Sequence, residues 1–153
     1  MRATRVSRLI RAPRAAVYAA LVDADAVARW KVPDGMTCRV HRWEAHEGGA
    51  LRVSLTYEDG DSAGKTTAHT DTYGGRFVEL VPDERVVEAD EFETDDPALA
   101  GEMRITIELR DAGDGQTELL AVHEDVPAGV PLADNELGWC SALERLAALA
   151  EGR

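Results

Sequence analysis

The spacing of apolar and polar residues along the chain predicts an ordered series of elements. "TRVSRLIRAP" (4–13) alternates Val6, Arg8 and Ile10 against Arg5, Ser7 and Leu9, which suits a first strand although both sets mix residue types. Pro13 opens a helix, where its missing N–H costs nothing. In "PRAAVYAALVD", Val17 and Leu21, and Tyr18 and Val22, are spaced i, i+4 and form one apolar stripe. Asp23 or Asp25 can cap a second short helix running to Trp30, and Pro33 stops it by biasing Val32 out of helical space.

Strands follow. "MTCRVHRWEA" puts Met36, Cys38 and Val40 on one side, and Glu47, Gly48 and Gly49 make a turn. "ALRVSLTY" alternates cleanly, with Leu51, Val53, Leu55 and Tyr57 on the buried face and Arg52, Ser54 and Thr56 on the wet one. After a Gly- and Asp-rich loop from Glu58 to Lys65, "TTAHTDTYGGRFVELV" (66–81) is the longest strand, and its Gly74-Gly75 pair predicts a bulge or bend. "PDE" turns the chain into "RVVEADEFE". "TDDPALAG" is a loop. "EMRITIEL" aligns Met103, Ile105, Ile107 and Leu109, and "TELLAVHED" is the last strand. "VPAGVP" then breaks the sheet ahead of a long helix whose Leu132, Trp139, Leu143, Leu146 and Ala150 share a stripe.

Short turns favour sequential antiparallel pairing, and a sheet wet on one face must bury the other. The long C-terminal helix is the natural cover. The expected fold class is therefore α+β, with a curved antiparallel sheet gripping that helix. All 153 residues fit a single domain (1–153) with a real core.

The motifs, taken in order, resemble a known family. "IRAPRAAVYAALVD", "EGGALRVSLTY", "YGGRFVELVPDERVVEADEF", "HEDVPAG" and "NELGWCSALERLAALAE" together span nearly the whole chain. They look like the START-like (SRPBCC, birch-pollen-allergen-like) superfamily, and within it the group related to the activator of Hsp90 ATPase (AHSA-like). The family pattern carries a glycine pair before strand three, a Gly-Phe-Glu-hydrophobic-Pro-Glu-Arg stretch and a Gly-Trp near the start of the last helix. The resemblance implies a helix-grip fold: a seven-stranded antiparallel sheet around the C-terminal helix, two short helices between strands 1 and 2, and a mostly apolar cavity. Members include ligand carriers, cyclase-like enzymes and chaperone regulators, so fold alone does not fix activity. The chaperone activator proper also has an additional N-terminal domain.

Charge and composition narrow the functions. Hydrophobic residues at 44% and charged residues at 30% fit a globular chain rather than a disordered one. A formal charge of −12 argues against nucleic acid and anionic membrane surfaces. It reads as solubility, with an acidic docking surface for a basic partner as the alternative. Cys38 and Cys140 lack a CxxC or Cys/His companion, and no stretch has the length of a signal peptide core or a membrane span. A cytoplasmic protein with reduced thiols is expected.

Candidate chemistry is sparse. His69, Asp71 and Tyr73 alternate and share a face. Outward, they are ordinary solvated strand residues, the reading adopted here; inward, they would form a polar patch able to tune an imidazole. His123 shares a face with Leu119 and Ala121 and is expected near the cavity mouth as a structural histidine. The acidic run "EADEFETDD" reads as a solvated rim, with Phe77 and Phe92 packed inward. His41 and His46 have no metal-ligand spacing, no nucleophile elbow, P-loop or dinucleotide pattern occurs, and no calcium-loop spacing is present. No metal, cofactor or assigned catalytic residue is expected. The leading expectation is a pocket for a small hydrophobic or aromatic molecule, walled by Leu51, Val53, Leu55, Tyr57, Tyr73, Met103, Ile105, Ile107, His123, Trp139 and Leu143. The alternatives are a cyclase- or hydrolase-type enzyme using His69, Asp71, Tyr73 or His123, and a chaperone regulator acting by protein contact. Either a monomer or a homodimer is compatible with the sequence.

Overall fold

The computed structural model describes residues 2–58 and 69–153. The chain runs β1 (Ala3–Ile10), α1 (Arg14–Val22), α2 (Ala24–Trp30), β2 (Met36–Trp43), β3 (Ala50–Tyr57), β4 (Thr70–Val81), β5 (Arg85–Phe92), β6 (Met103–Gly113), β7 (Gln116–Glu124) and α3 (Leu132–Ala150). The seven strands form one antiparallel sheet in the order β1-β7-β6-β5-β4-β3-β2. This is the expected α+β helix-grip architecture, with two short helices between the first two strands and a curled half-barrel sheet. Most of the expected Glu58–Lys65 loop and the first residues of the expected 66–81 strand lie outside the described residues.

Local chemistry sets the elements. Pro13 is the residue before α1, and the Asp23 side chain accepts a hydrogen bond from Asp25 N to start α2. The β4–β5 and β6–β7 turns place Asp83, Asp114 and Gly115 at positive φ. The bulge allowed for at Gly74-Gly75 falls instead a few residues later. The ladder passes unbroken through both glycines, and β4 shifts register between Phe77 and Glu79. A second shift falls between Val40 and Arg42 in β2. Each extra residue bends its strand and increases local twist, which curls the sheet.

The sheet's inner face and α3 enclose the core. Trp139, Ala142, Leu143, Leu146 and Ala147 are the buried face of α3. Trp30 and Trp43 fasten the short helices: their indole N–H groups donate to Ala20 O (2.8 Å) and Val22 O (2.9 Å). Trp43 also meets Phe77 edge-on, with ring centroids 5.0 Å apart. At the other end, α3 stands clear of the sheet enough to leave a cavity. The Arg145 side chain holds the loop after α2 there, donating to Val32 O at 2.7 Å and pairing with Asp34 at 2.8 Å.

Candidate functional site

The cavity has a volume of about 600 Å³, within the range that takes small organic molecules. Its walls come from the end of α2 and the following loop, the inner face from β2 to β7, and the first half of α3. Of the residues expected to line a pocket, Leu55, Tyr57, Tyr73, Met103, Ile105, His123 and Trp139 do so. Leu51, Val53, Ile107 and Leu143 do not. They belong to the closed core, where α1 and α3 pack directly on the sheet, and are at most 2% exposed. The apolar alternation that marked them reports burial, and burial does not distinguish a packed wall from an open one.

The floor of the cavity is polar. The solvated reading of the "HTDTY" stretch is corrected for two of its three residues: Asp71 and Tyr73 are buried and line the cavity, while His69 is exposed. The rim reading of the acidic run is corrected as well. Glu88 and Asp90 are 2% and 1% exposed and point inward from β5 in the same row as Phe92.

A buried ion pair anchors this floor. Lys31, just past the end of α2, places Nζ 3.0 Å from each Glu88 carboxylate oxygen. Burial by itself would push the ammonium toward neutrality. The Glu88 charge, helped by Tyr73 and Asp90, outweighs it and holds the Lys31 pKa above its ordinary value. Lys31 therefore stays a cation and is no nucleophile. Its Nζ also lies 5.8 Å from the centre of the Tyr73 ring. The Tyr73 phenol is pushed up chiefly by desolvation, so it remains a hydrogen-bond donor at neutral pH.

Asp90 differs from Glu88. Both of its carboxyl oxygens are buried without a hydrogen-bond partner among the described residues. Burial, and then the Glu88 charge, raise its pKa well above the usual carboxylate range, against a smaller lowering by Lys31. Space for the Asp90 carboxyl exists because Gly75 faces it across the β4–β5 ladder.

His123 sits at the α3 side. Trp139 Nε1 donates to His123 Nδ1 at 3.1 Å, and the Asn135 amide lies 3.2 Å from the same nitrogen. Indole N–H can only donate, so Nδ1 is an acceptor and the ring proton is on Nε2, 3.2 Å from Met103 Sδ. Thr4 Oγ1 donates to Asn135 Oδ1, which turns the Asn135 NH₂ toward the imidazole. Desolvation, with Lys31 second, lowers the His123 pKa to about 4. With its one lone pair occupied, this neutral imidazole orients neighbours rather than accepting a proton.

Lys31, Glu88, Asp90 and Asn135 had no advance signal as site residues. Glu88 and Asp90 are half of an inward row that hydropathy reads as outward, and their cation comes from a helix end 57 residues away. Cys38 is half-buried with its thiol pKa raised by burial, and Cys140 is exposed on α3. Among the described residues no group of three or more His, Cys, Asp or Glu side chains is arranged to hold a metal, and no helix is long and apolar enough to cross a membrane.

Comparisons with known proteins agree with the fold. The family model described as "Activator of Hsp90 ATPase homolog 1-like protein" matches residues 11–151. A crystal structure of a Chromobacterium violaceum protein is 36% identical with a TM-score of 0.86, covering 97% of this chain and 96% of that one. Proteins of Rhodobacter sphaeroides (19% identity, TM-score 0.79, 98% and 92% covered) and Arthrobacter aurescens (16%, 0.80, 99% and 87%) share the fold. No curated protein matches the chain in sequence.

Proposed function

The chain belongs to the family of activator of Hsp90 ATPase homolog 1-like proteins, and from that premise we propose that it binds a small, largely apolar molecule in the cavity between the sheet and α3. The observation that carries this reading is the cavity itself. A volume of about 600 Å³ is walled by Leu55, Tyr57, Phe92, Met103, Ile105 and Trp139 and ends in a few fixed polar groups. Apolar walls supply affinity, and a small number of placed polar groups supply orientation. Nucleophilic or general-base chemistry finds little support, since Lys31 is held charged and the His123 lone pair is engaged.

Native mass spectrometry of freshly purified protein tests the reading, with Trp139 fluorescence as a second reporter. The expected result is a bound small-molecule mass, or quenching of tryptophan fluorescence by an added non-fluorescent apolar probe such as nitrobenzene that is reduced in Trp139→Phe. Protein that carries no such mass and shows no response to any apolar probe would overturn the proposal.

A second reading is regulation of a chaperone ATPase through protein contact, favoured by the family description and a formal charge of −12. It requires salt-sensitive binding to a basic partner surface that a cavity occupant leaves unchanged.

A further inference from the structure

The floor of the cavity contains one group that the fold places at a cost and leaves unused. Asp90 is 1% exposed and lines the cavity, and no donor among the described residues reaches either of its oxygens; the one group beside it is the Glu88 carboxylate, which can only share the proton that Asp90 carries. Buried polar atoms are nearly always paired, and an orphan in a cavity wall marks a position at which something else supplies the partner. Packing does not require an acid there. The facing Gly75 is required by the close approach of the β5 backbone, and the Asp90 carboxyl shares the space that its missing side chain leaves.

The surroundings select the sign of that partner. The charged groups that act on Asp90 are Glu88 beside it on β5, Lys31 from the end of α2 and Glu102 just before β6. Asp71 and Tyr73 of β4 and His123 of β7 line the same cavity. Lys31 is the only cation among the described lining residues, and its charge is committed to Glu88 through two 3.0 Å contacts. His123 is neutral. The potential at Asp90 is therefore negative, which repels a carboxylate ligand and attracts a cation. Tyr57, Phe92 and Trp139 add aromatic side chains to the lining, and aromatic rings favour a cationic nitrogen.

We propose that the cavity takes an organic amine, an apolar or aromatic body whose protonated nitrogen pairs with the Asp90 carboxylate. This rests on the small-molecule reading above and specifies its ligand class. The proton balance is simple. Without a ligand, burial and then the Glu88 charge shift Asp90 toward its protonated form. An ammonium ligand stabilises the carboxylate, and the Asp90 proton leaves to solvent as the ion pair forms. Amine binding thus strengthens as pH rises toward the pKa of the amine itself.

Three indoles of one shape test the proposal by calorimetry: tryptamine (cationic), tryptophol (neutral) and indoleacetate (anionic). Tryptamine should bind roughly tenfold or more tighter than tryptophol, as expected for a charge-assisted hydrogen bond, and indoleacetate weakest. Asp90→Asn should abolish the preference for tryptamine while keeping tryptophol affinity. If that variant does not fold, wild-type titrations in two buffers of different ionisation enthalpy replace it. They should show proton release on binding, and its extent should fall as pH rises. Tryptophol binding as tightly as tryptamine, or tryptamine binding without proton release, would overturn the amine assignment and leave the cavity reading standing. Failure of all three indoles to bind, with no copurified mass, would overturn both.

Discussion

Gly75 and Asp90 face one another across the β4–β5 ladder, and a Cβ built on Gly75 would lie 2.4 Å from Asp90 Oδ1 and 2.0 Å from the carbonyl oxygen of Ala89. The shorter contact is with backbone, so the close approach of β4 and β5 requires glycine here whatever side chain residue 90 carries. Gly75→Ala should therefore destabilise the fold by about 2–3 kcal/mol, because backbone must move to admit the methyl. Gly74 is the control. Its nearest contact would be 3.4 Å away, so Gly74→Ala should stay within about 0.5 kcal/mol of wild type in urea denaturation. Equal effects at the two positions would contradict the register described here.

The Lys31–Glu88 pair should behave as a buried ion pair does. Removing one partner, in Lys31→Met or Glu88→Leu, leaves the other charge unpaired in a nearly dry site and should cost about 3–5 kcal/mol. Removing both, in Lys31→Met with Glu88→Leu, should recover most of that loss. A double-mutant cycle by chemical denaturation reads the coupling directly. Additive losses would mean that the two side chains do not depend on each other.

These groups show where sequence reading succeeds and where it stops. The stretches 51–57 and 103–109 announced their buried faces because each alternates aliphatic with polar residues. The fold followed from such stretches and from the stripe of α3. The cavity floor did not, because its inward row on β5 is Val86, Glu88, Asp90 and Phe92, while Val87 and Ala89 on the opposite face are also buried. Hydropathy ranks side chains by their cost in isolation. The cost of Glu88 is offset by a lysine distant in sequence, and that of Asp90 only in small part by the same lysine. "HTDTY" fails for the same reason, being polar on both faces. The four closed-core residues, Leu51, Val53, Ile107 and Leu143, mark a different limit: periodicity locates the inner face but not the point along it where α3 parts from the sheet.

His123 should give the protein a characteristic acid sensitivity. Its folded pKa of about 4 lies below the ordinary histidine value of 6.5. As pH falls through 6.5 the unfolded chain takes up a proton that the folded one refuses, so stability declines until the folded imidazole titrates near pH 4. The contribution across that window is about 3 kcal/mol. His123→Gln removes it, so the stability difference between wild type and variant should change with pH between 4 and 6.5 and be flat above 7. A constant difference would mean that the imidazole is solvated.

Asp90 has the opposite sign. Its folded pKa is raised, so its protonated form favours the folded state below the unfolded carboxylate pKa, and that contribution is lost as pH rises through the folded value. Asp90→Asn should accordingly be more stable than wild type at about pH 8, by about 1–2 kcal/mol, with the gain shrinking toward pH 4. Thermal melts across this range check it. A variant that is both more stable and poorer at binding amines is the pattern of a group kept for function against stability.

Gly138 lines the cavity from α3. It lies one residue before Trp139, opposite Pro33. Its position suggests close approach of another element, yet a Cβ there would meet Pro33 Cγ at 3.7 Å and Pro33 Cβ at 3.9 Å, which are ordinary contacts. Packing therefore does not demand a glycine. A glycine inside a helix costs up to about 1 kcal/mol relative to alanine, and Gly138→Ala should recover most of that and raise the melting temperature. The added methyl also narrows the gap between α3 and the loop held by Arg145. Nitrobenzene should then associate and dissociate more slowly by stopped-flow Trp139 fluorescence, with less change in its affinity than in its rates. Unchanged kinetics in a stabilised variant would place the entrance elsewhere along the cavity.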